Sequence, residues 1–240
     1  MELKRIEYHA GGKVFTGFFA DGSGGRPVPG ILVAHEGPGI TGHIITRTKM
    51  LAELGYVAFA LDLYGEESPS MEAARSYVQE LRANRQEFRL RVNAAFSTLK
   101  AHAHVDESKM AIAGFCIGGM AALELARSGA DVDLVIGFHA ALDTPSPQDA
   151  KNIKGKVLVC LGADDPIIVE EQRTAFAAEM SDALVDWQMH VYGGVGHSFT
   201  NPDSDAMNFP GFAYHKDADR RSWKAMRNML DEVFGPIGSD

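Results

Sequence analysis

The amino-acid sequence predicts an α/β protein: a mostly parallel sheet of about eight strands with helices on both faces. Three observations carry this. Short apolar runs alternate with amphipathic stretches along most of the 240 residues. Several runs, such as Gly30-Ile-Leu-Val-Ala34 and Val157-Leu-Val-Cys-Leu161, are apolar at every position, as in strands covered on both faces. Residues with reactive side chains fall just past the ends of these runs, where parallel sheets bind their ligands.

In chain order, residues 3–10 and 13–20 read as a hairpin turning at Gly11-Gly12, with Val14, Phe15, Phe18 and Phe19 supplying apolar surface. The glycine- and proline-rich stretch 21–29 is a loop, and 30–34 is the first fully apolar strand. A helix over 44–54 is stopped by Gly55, and the strand 56–61 runs into Asp62-Leu-Tyr-Gly65. Helical patterns occupy 70–81 and 85–102. In the second, Phe88, Val92, Ala95, Phe96 and Leu99 recur at helical spacing. The strand 110–113 leads into a helix rich in Ala, Leu and Met that starts at Ile117. Strands over 134–138 and 157–161 follow, then a helix over 169–180, a strand over 185–192 and a last helix over 217–234. No repeat, low-complexity tract or linker interrupts the alternation, so 1–240 is expected to form one domain.

The composition suits a soluble enzyme: 45% hydrophobic, 23% charged, with a formal net charge of −9. That acidic balance argues against nucleic acid or an anionic membrane as partner, and no Lys/Arg block opposes it. The N-terminal stretch lacks an apolar signal core, and no run nears the ~20 apolar residues needed to span a bilayer. Two cysteines, Cys116 and Cys160, build no disulfide framework. A cytoplasmic protein acting on a small molecule is expected, as monomer or homodimer.

Chemistry concentrates at Gly114-Phe115-Cys116-Ile117-Gly118, between a predicted strand and a predicted helix. This is the pattern of a nucleophile elbow with cysteine in place of serine. The turn is so sharp that side chains two residues either side would collide with the neighbouring strand and helix, and glycine removes the collision. The helix N-terminus beneath favours a thiolate or an oxyanion. The plain alternative is a buried structural cysteine in a glycine-lined turn.

A nucleophile needs a base, and the base an orienting acid. Leu161-Gly-Ala-Asp-Asp-Pro166 follows one predicted strand and Val195-Gly-His-Ser-Phe199 follows another. The order nucleophile, acid, histidine is that of α/β-hydrolases, with Asp165 orienting His197. His35-Glu36-Gly37 follows the strand 30–34, where those enzymes place an oxyanion-binding loop. Glu36 is unexpected there, because a carboxylate repels the charge that must develop. It either points to solvent or contacts the thiol and controls its ionisation.

Together, His35-Glu36, Gly114-Phe-Cys-Ile-Gly-Gly119, Asp165 and Gly196-His197-Ser-Phe199 resemble the dienelactone hydrolase family over most of the chain. The resemblance implies an α/β-hydrolase fold and a triad of Cys116, Asp165 and His197. It also implies that Glu36 contacts the resting thiol and that the Gly37 and Ile117 backbone amides form the oxyanion hole. An ester or lactone would then be cleaved through a cysteine thioester, without metal or organic cofactor. Departures bear on the substrate. Thr200-Asn201 stand where the muconate-pathway enzymes carry an arginine that grips a carboxylate. Gly37 replaces a bulkier apolar residue, and a longer segment 201–215 is expected to add a flap.

Arg85 and His139 are further candidates for the substrate pocket. His102-x-His104 offers two metal-ligand side chains, but no third converges on them in the sequence. Other small acyl esters or thioesters are alternative substrates, and a non-catalytic binding protein on the same fold is an alternative role. A class I glutamine amidotransferase also uses a cysteine elbow, but its His-x-Glu pair is missing: Ser198-Phe199 follow His197.

Overall fold

The computed structural model describes residues 1–66 and 69–237. Its strands are β1 (Lys4–Ala10), β2 (Lys13–Asp21), β3 (Val28–Ala34), β4 (Val57–Leu61), β5 (Val105–Phe115), β6 (Leu134–Phe138), β7 (Lys156–Gly162) and β8 (Trp187–Tyr192). Helices are α1 (Gly42–Glu53), α2 (Met71–Ala83), α3 (Arg85–Lys100), α4 (Ile117–Arg127), α5 (Glu170–Asp182) and α6 (Lys216–Phe234). The strands form one sheet in the order β1-β2-β4-β3-β5-β6-β7-β8. β1 and β2 pair antiparallel, as do β2 and β4, and the other pairings are parallel. This is the α/β-hydrolase architecture.

Alternate side chains of each central strand enter separate cores, which is why these strands are apolar at every position. Leu32, Ile112, Val135 and Val159 face a cluster shared with α3, α4 and α5. Ile31, Val33, Ala113, Ile136 and Leu158 face a second cluster covered by α1 and α6. All of α4 is buried, matching its nearly uniform apolar sequence. Its two charges are paired: Arg127 bonds Glu124 at 3.1 Å and Glu179 at 2.7 Å.

Most elements lie within a few residues of expectation; β5 is the exception, starting at Val105 instead of 110. Val28 pairs with Val105 and Pro29 with Asp106, and after a register shift Gly30 opposes Met110. The polar Glu107-Ser-Lys109 forms this irregularity, so no apolar run announces the strand's first half. A 3-10 turn over Pro147–Asn152 was also not expected.

The chain runs from β3 to β4 on one side, then returns to place β5 on the other side of β3. Where strand order reverses, adjacent loops diverge and open a crevice beyond the carboxyl ends of the strands. His35 and Glu36 leave β3 at that crevice, and Cys116 leaves β5 there. Among the described residues, no helix is long and apolar enough to cross a membrane.

Candidate active site

Cys116 sits between β5 and α4 with φ 55° and ψ −115°, a conformation costly for any residue but glycine. Its neighbours leave no alternative. A Cβ on Gly114 would lie 1.9 Å from the Gly118 carbonyl oxygen, and one on Gly118 would lie 2.2 Å from that of Ala34. Gly119 is needed as well, since its Cβ would fall 2.3 Å from that of Ala140. The Cys116 amide donates to Phe138 O at 3.0 Å, and its carbonyl accepts from Gly119, Met120 and Ala141. The strained turn is thus held from both sides, and the side chain remains half-buried.

His197 and Asp165 come from the loops after β8 and β7. The His197 amide donates to Gly211 O at 2.8 Å, and its Nδ1 lies 2.7 Å from Asp165 Oδ2. Asp165 Oδ1 accepts from the amides of Ile167 and Ile168 at 2.8 and 3.0 Å. Burial raises the Asp165 pKa, but the His197 bond and those amides outweigh it and hold the carboxyl below its ordinary value. An ionised Asp165 puts the His197 proton on Nδ1. Among the described residues, buried Nε2 has no hydrogen-bond partner, and Cys116 is the strongest raising influence on the ring. Burial disfavours the imidazolium, yet a Cys116 thiolate and Asp165 together push His197 up to about 10. Asp164, by contrast, is exposed.

Glu36 points inward and is almost fully buried. Oε1 accepts from Ser198 Oγ at 3.2 Å, and Oε2 accepts from Asn201 Nδ2 at 2.8 Å. His43 Nδ1 stands 3.3 Å from Oε2, while its Nε2 accepts from Arg47 Nε at 3.1 Å. Burial raises the Glu36 pKa, but the neighbouring His43 imidazole and the Asn201 amide outweigh burial and lower it to about 2. The solvent-facing reading is therefore wrong. No hydrogen bond joins Glu36 to Cys116 among the described residues; both oxygens are taken by Ser198, Asn201 and His43. Thr200 and Asn201 thus serve this buried network: Asn201 bonds Glu36, and Thr200 bonds His139 and Arg47.

The Glu36 carbonyl accepts from His35 Nδ1 at 2.7 Å and from the Gly39 amide at 3.0 Å. His35 Nε2 accepts from the Leu63 amide at 3.0 Å, so the ring is the neutral Nδ1–H tautomer. Burial lowers its pKa, which agrees. Because the peptide is planar and trans, fixing this carbonyl also fixes the Gly37 N–H on its far side. Tyr64 Oη donates to Gly37 O at 2.8 Å. The Gly37 and Ile117 amides have no protein acceptor among the described residues, and an oxyanion can use both.

Cys116, Glu36 and Gly37 border a cavity of about 390 Å³. α2 supplies Met71, Ala74, Arg75 and Val78 to one wall. The segment 201–215 supplies Phe209 and Phe212, and Phe212 stands 4.6 Å from the His197 ring. The Arg75 guanidinium lies 5.2 Å from the Phe209 ring centre, bridging the two walls. The expected flap is therefore part of the cavity. Sequence reasoning missed the α2 wall, although Met71, Ala74 and Val78 recur at helical spacing.

Two expected pocket residues lie elsewhere. Arg85 pairs with Asp143 at 3.3 Å and packs on Met120, away from the cavity. His139 is fully buried behind His197, ring centres 5.1 Å apart, and its Nε2 meets Thr200 Oγ1 at 2.9 Å. Burial and the His197 charge lower its pKa to about 3, so it is neutral. His139 and Ser198 share the positive φ of Cys116, at 38° and 54°.

Comparison with known proteins bears on the family and the fold. A family model described as the dienelactone hydrolase family matches residues 15–234. A solved structure named m3DLH is 42% identical with TM-score 0.93, covering 97% of this chain and 98% of its own. The dienelactone hydrolase-like promiscuous phosphotriesterase P91, from metagenomic libraries, is 37% identical with TM-score 0.93, covering 98% and 99%. Carboxymethylenebutenolidase of Pseudomonas putida is 26% identical over 74% of this chain and 78% of that one.

Proposed function

The chain belongs to the dienelactone hydrolase family of α/β hydrolases, and on that premise we propose that it opens a carboxylic ester or lactone through a thioester on Cys116. One observation carries this reading: an Asp165-oriented His197 whose Nε2 has no partner among the described residues, with a cysteine on a strained turn as the strongest raising influence on its ring and two amides that have no acceptor among those residues. His197 Nε2 takes the Cys116 thiol proton as Sγ attacks the carbonyl carbon, and the C=O electron pair moves onto oxygen, held by the Gly37 and Ile117 amides. When the carbonyl re-forms, the C–O bond breaks and His197 Nε2 protonates the departing alkoxide. Neutral His197 then takes a proton from water, the hydroxide adds to the thioester, and the thiolate leaves as the acid product forms.

The mostly apolar cavity favours a substrate with an apolar body. Arg75 is the cation among its described lining residues, and Thr200 and Asn201 are occupied with Glu36 and its neighbours. Small acyl esters and thioesters fit this reading as well as lactones do. Similarity to P91 favours a second reading, in which the same thiolate attacks the phosphorus of a neutral triester.

The test is a panel of short-chain aryl esters, thioesters, lactones and a dialkyl aryl phosphotriester, combined with intact-protein mass spectrometry at early times. An acyl adduct on the wild type, absent from Cys116→Ala, is expected. Hydrolysis that persists within tenfold in Cys116→Ala would overturn the assignment. A phosphoryl adduct without an acyl adduct would select the second reading.

A further inference from the structure

The fold supplies the third side chain that the sequence did not offer to His102 and His104. Asp21, at the end of β2, comes within 2.7 Å of His104 Nδ1 through its Oδ2. One ligand atom from each of Asp21, His102 and His104 lies within 4.8 Å of the others. The three residues come from two separate places in the chain. Asp21 closes the antiparallel strand that faces the start of β4, and the two histidines occupy the link from α3 into β5. They gather at the amino ends of the parallel strands, the opposite edge of the sheet from Cys116.

We propose that Asp21, His102 and His104 form a binding site for a zinc-class divalent cation. Two imidazoles and one carboxylate are a borderline donor set, suited to Zn2+ or Co2+ with solvent in the remaining positions. Tetrahedral bonds of ~2.0–2.1 Å separate neighbouring ligand atoms by about 3.3 Å. The Asp21–His104 pair has only to open slightly, and His102 to swing inward, to reach that spacing. The rings are already constrained. His102 packs on Phe19 with centres 4.8 Å apart, and the two imidazoles stand 5.5 Å apart. Asp21 Oδ1 is held by the Ser23 amide at 2.9 Å, leaving Oδ2 to face the histidines. Lys4, whose charge reaches His102, opposes a cation there, and the Asp21 carboxylate counters it.

Such an ion does no chemistry at the Cys116 cavity. It clips the end of the β1–β2 hairpin layer to the α3–β5 link, and binding only the folded chain it raises thermal stability by mass action.

The experiment uses full-length Cys116→Ala, so that the active-site thiol cannot compete for metal. After chelator treatment and dialysis, the protein is titrated with Zn2+ by calorimetry and with Co2+ by visible absorption, and melting is followed with and without Zn2+. One equivalent bound, a ligand-field band of low-coordinate Co2+ and a higher melting temperature are expected. Asp21→Asn and His104→Ala, each added singly, should weaken binding about tenfold or more, because losing even an outer partner of a ligand costs that much. If His104→Ala fails to fold, His102→Gln replaces it with the same expectation. Absence of saturable binding by ~1 mM metal, or affinity unchanged in these variants, overturns the site.

Discussion

Replacing Asp165 by Asn tests the proposed chemistry most sharply, because the surrounding donors dictate how the amide must sit. Asp165 Oδ1 receives two backbone N–H groups, and Oδ2 receives His197 Nδ1–H. Asn has one acceptor oxygen, and pointing it at the two amides leaves its NH2 facing His197. The reverse orientation sets the NH2 against two donors instead of one, so the first prevails. His197 Nδ1 must then accept, its proton moves to Nε2, and the ring can no longer deprotonate Cys116. Loss of the correct tautomer in such a triad costs about 10⁴ in turnover, or about 5.4 kcal/mol at 1.36 kcal/mol per decade. Stability should fall by only about 1.5–3 kcal/mol, the worth of one hydrogen bond to a charged group. Steady-state hydrolysis of an aryl ester and thermal unfolding separate the two effects. Asp164→Asn is the control: the side chain is exposed and should change turnover by no more than about twofold. Asp165→Asn within tenfold of wild type, or Asp164→Asn as the worse variant, would refute this reasoning.

Glu36→Gln should change the pH profile of Cys116 alkylation and lower turnover, since it removes a buried anion that borders the same cavity; superimposable profiles with unchanged turnover would exclude any influence on the thiol. Glu36 is held at about 2 against an ordinary 4.5, so its stabilisation is full above about pH 4.5 and lost as pH falls through 2. Acid unfolding should therefore cost the wild type more stability between those limits than it costs Glu36→Gln. In Cys116→Ser, burial still lowers the His197 pKa while the strongest raising influence, the thiolate, is gone. NMR titration of the imidazole should show its pKa moving down from about 10; an unmoved value would mean the two side chains do not interact. Gly119→Ala should destabilise by about 1–3 kcal/mol through the Ala140 clash, and adding Ala140→Gly should recover part of it in thermal melts.

Much of this was legible along the chain because its signals are local. Apolar runs marked buried strands, and paired glycines marked a turn that only Cβ-free residues can make. Motifs at strand ends placed Cys116, Asp165 and His197 in one crevice, since a parallel sheet brings the carboxyl ends of its strands together. Asp165 could be preferred to Asp164 only by resemblance; burial and the two amides on Oδ1 are what distinguish them. The orientation of Glu36 lay beyond any local pattern, because it depends on Ser198, Asn201 and His43 arriving from two other elements. Arg85 and His139 show the same dependence in reverse. One had the right charge and the other the right strand end, yet Asp143 draws the first away and Thr200 fixes the second behind His197. Asp21 meeting His104 across 83 positions is likewise a product of strand order alone. Periodicity and turn chemistry specify elements and the ends from which loops emerge. Which side chains then touch is decided by packing among distant segments, and only the tertiary structure contains that.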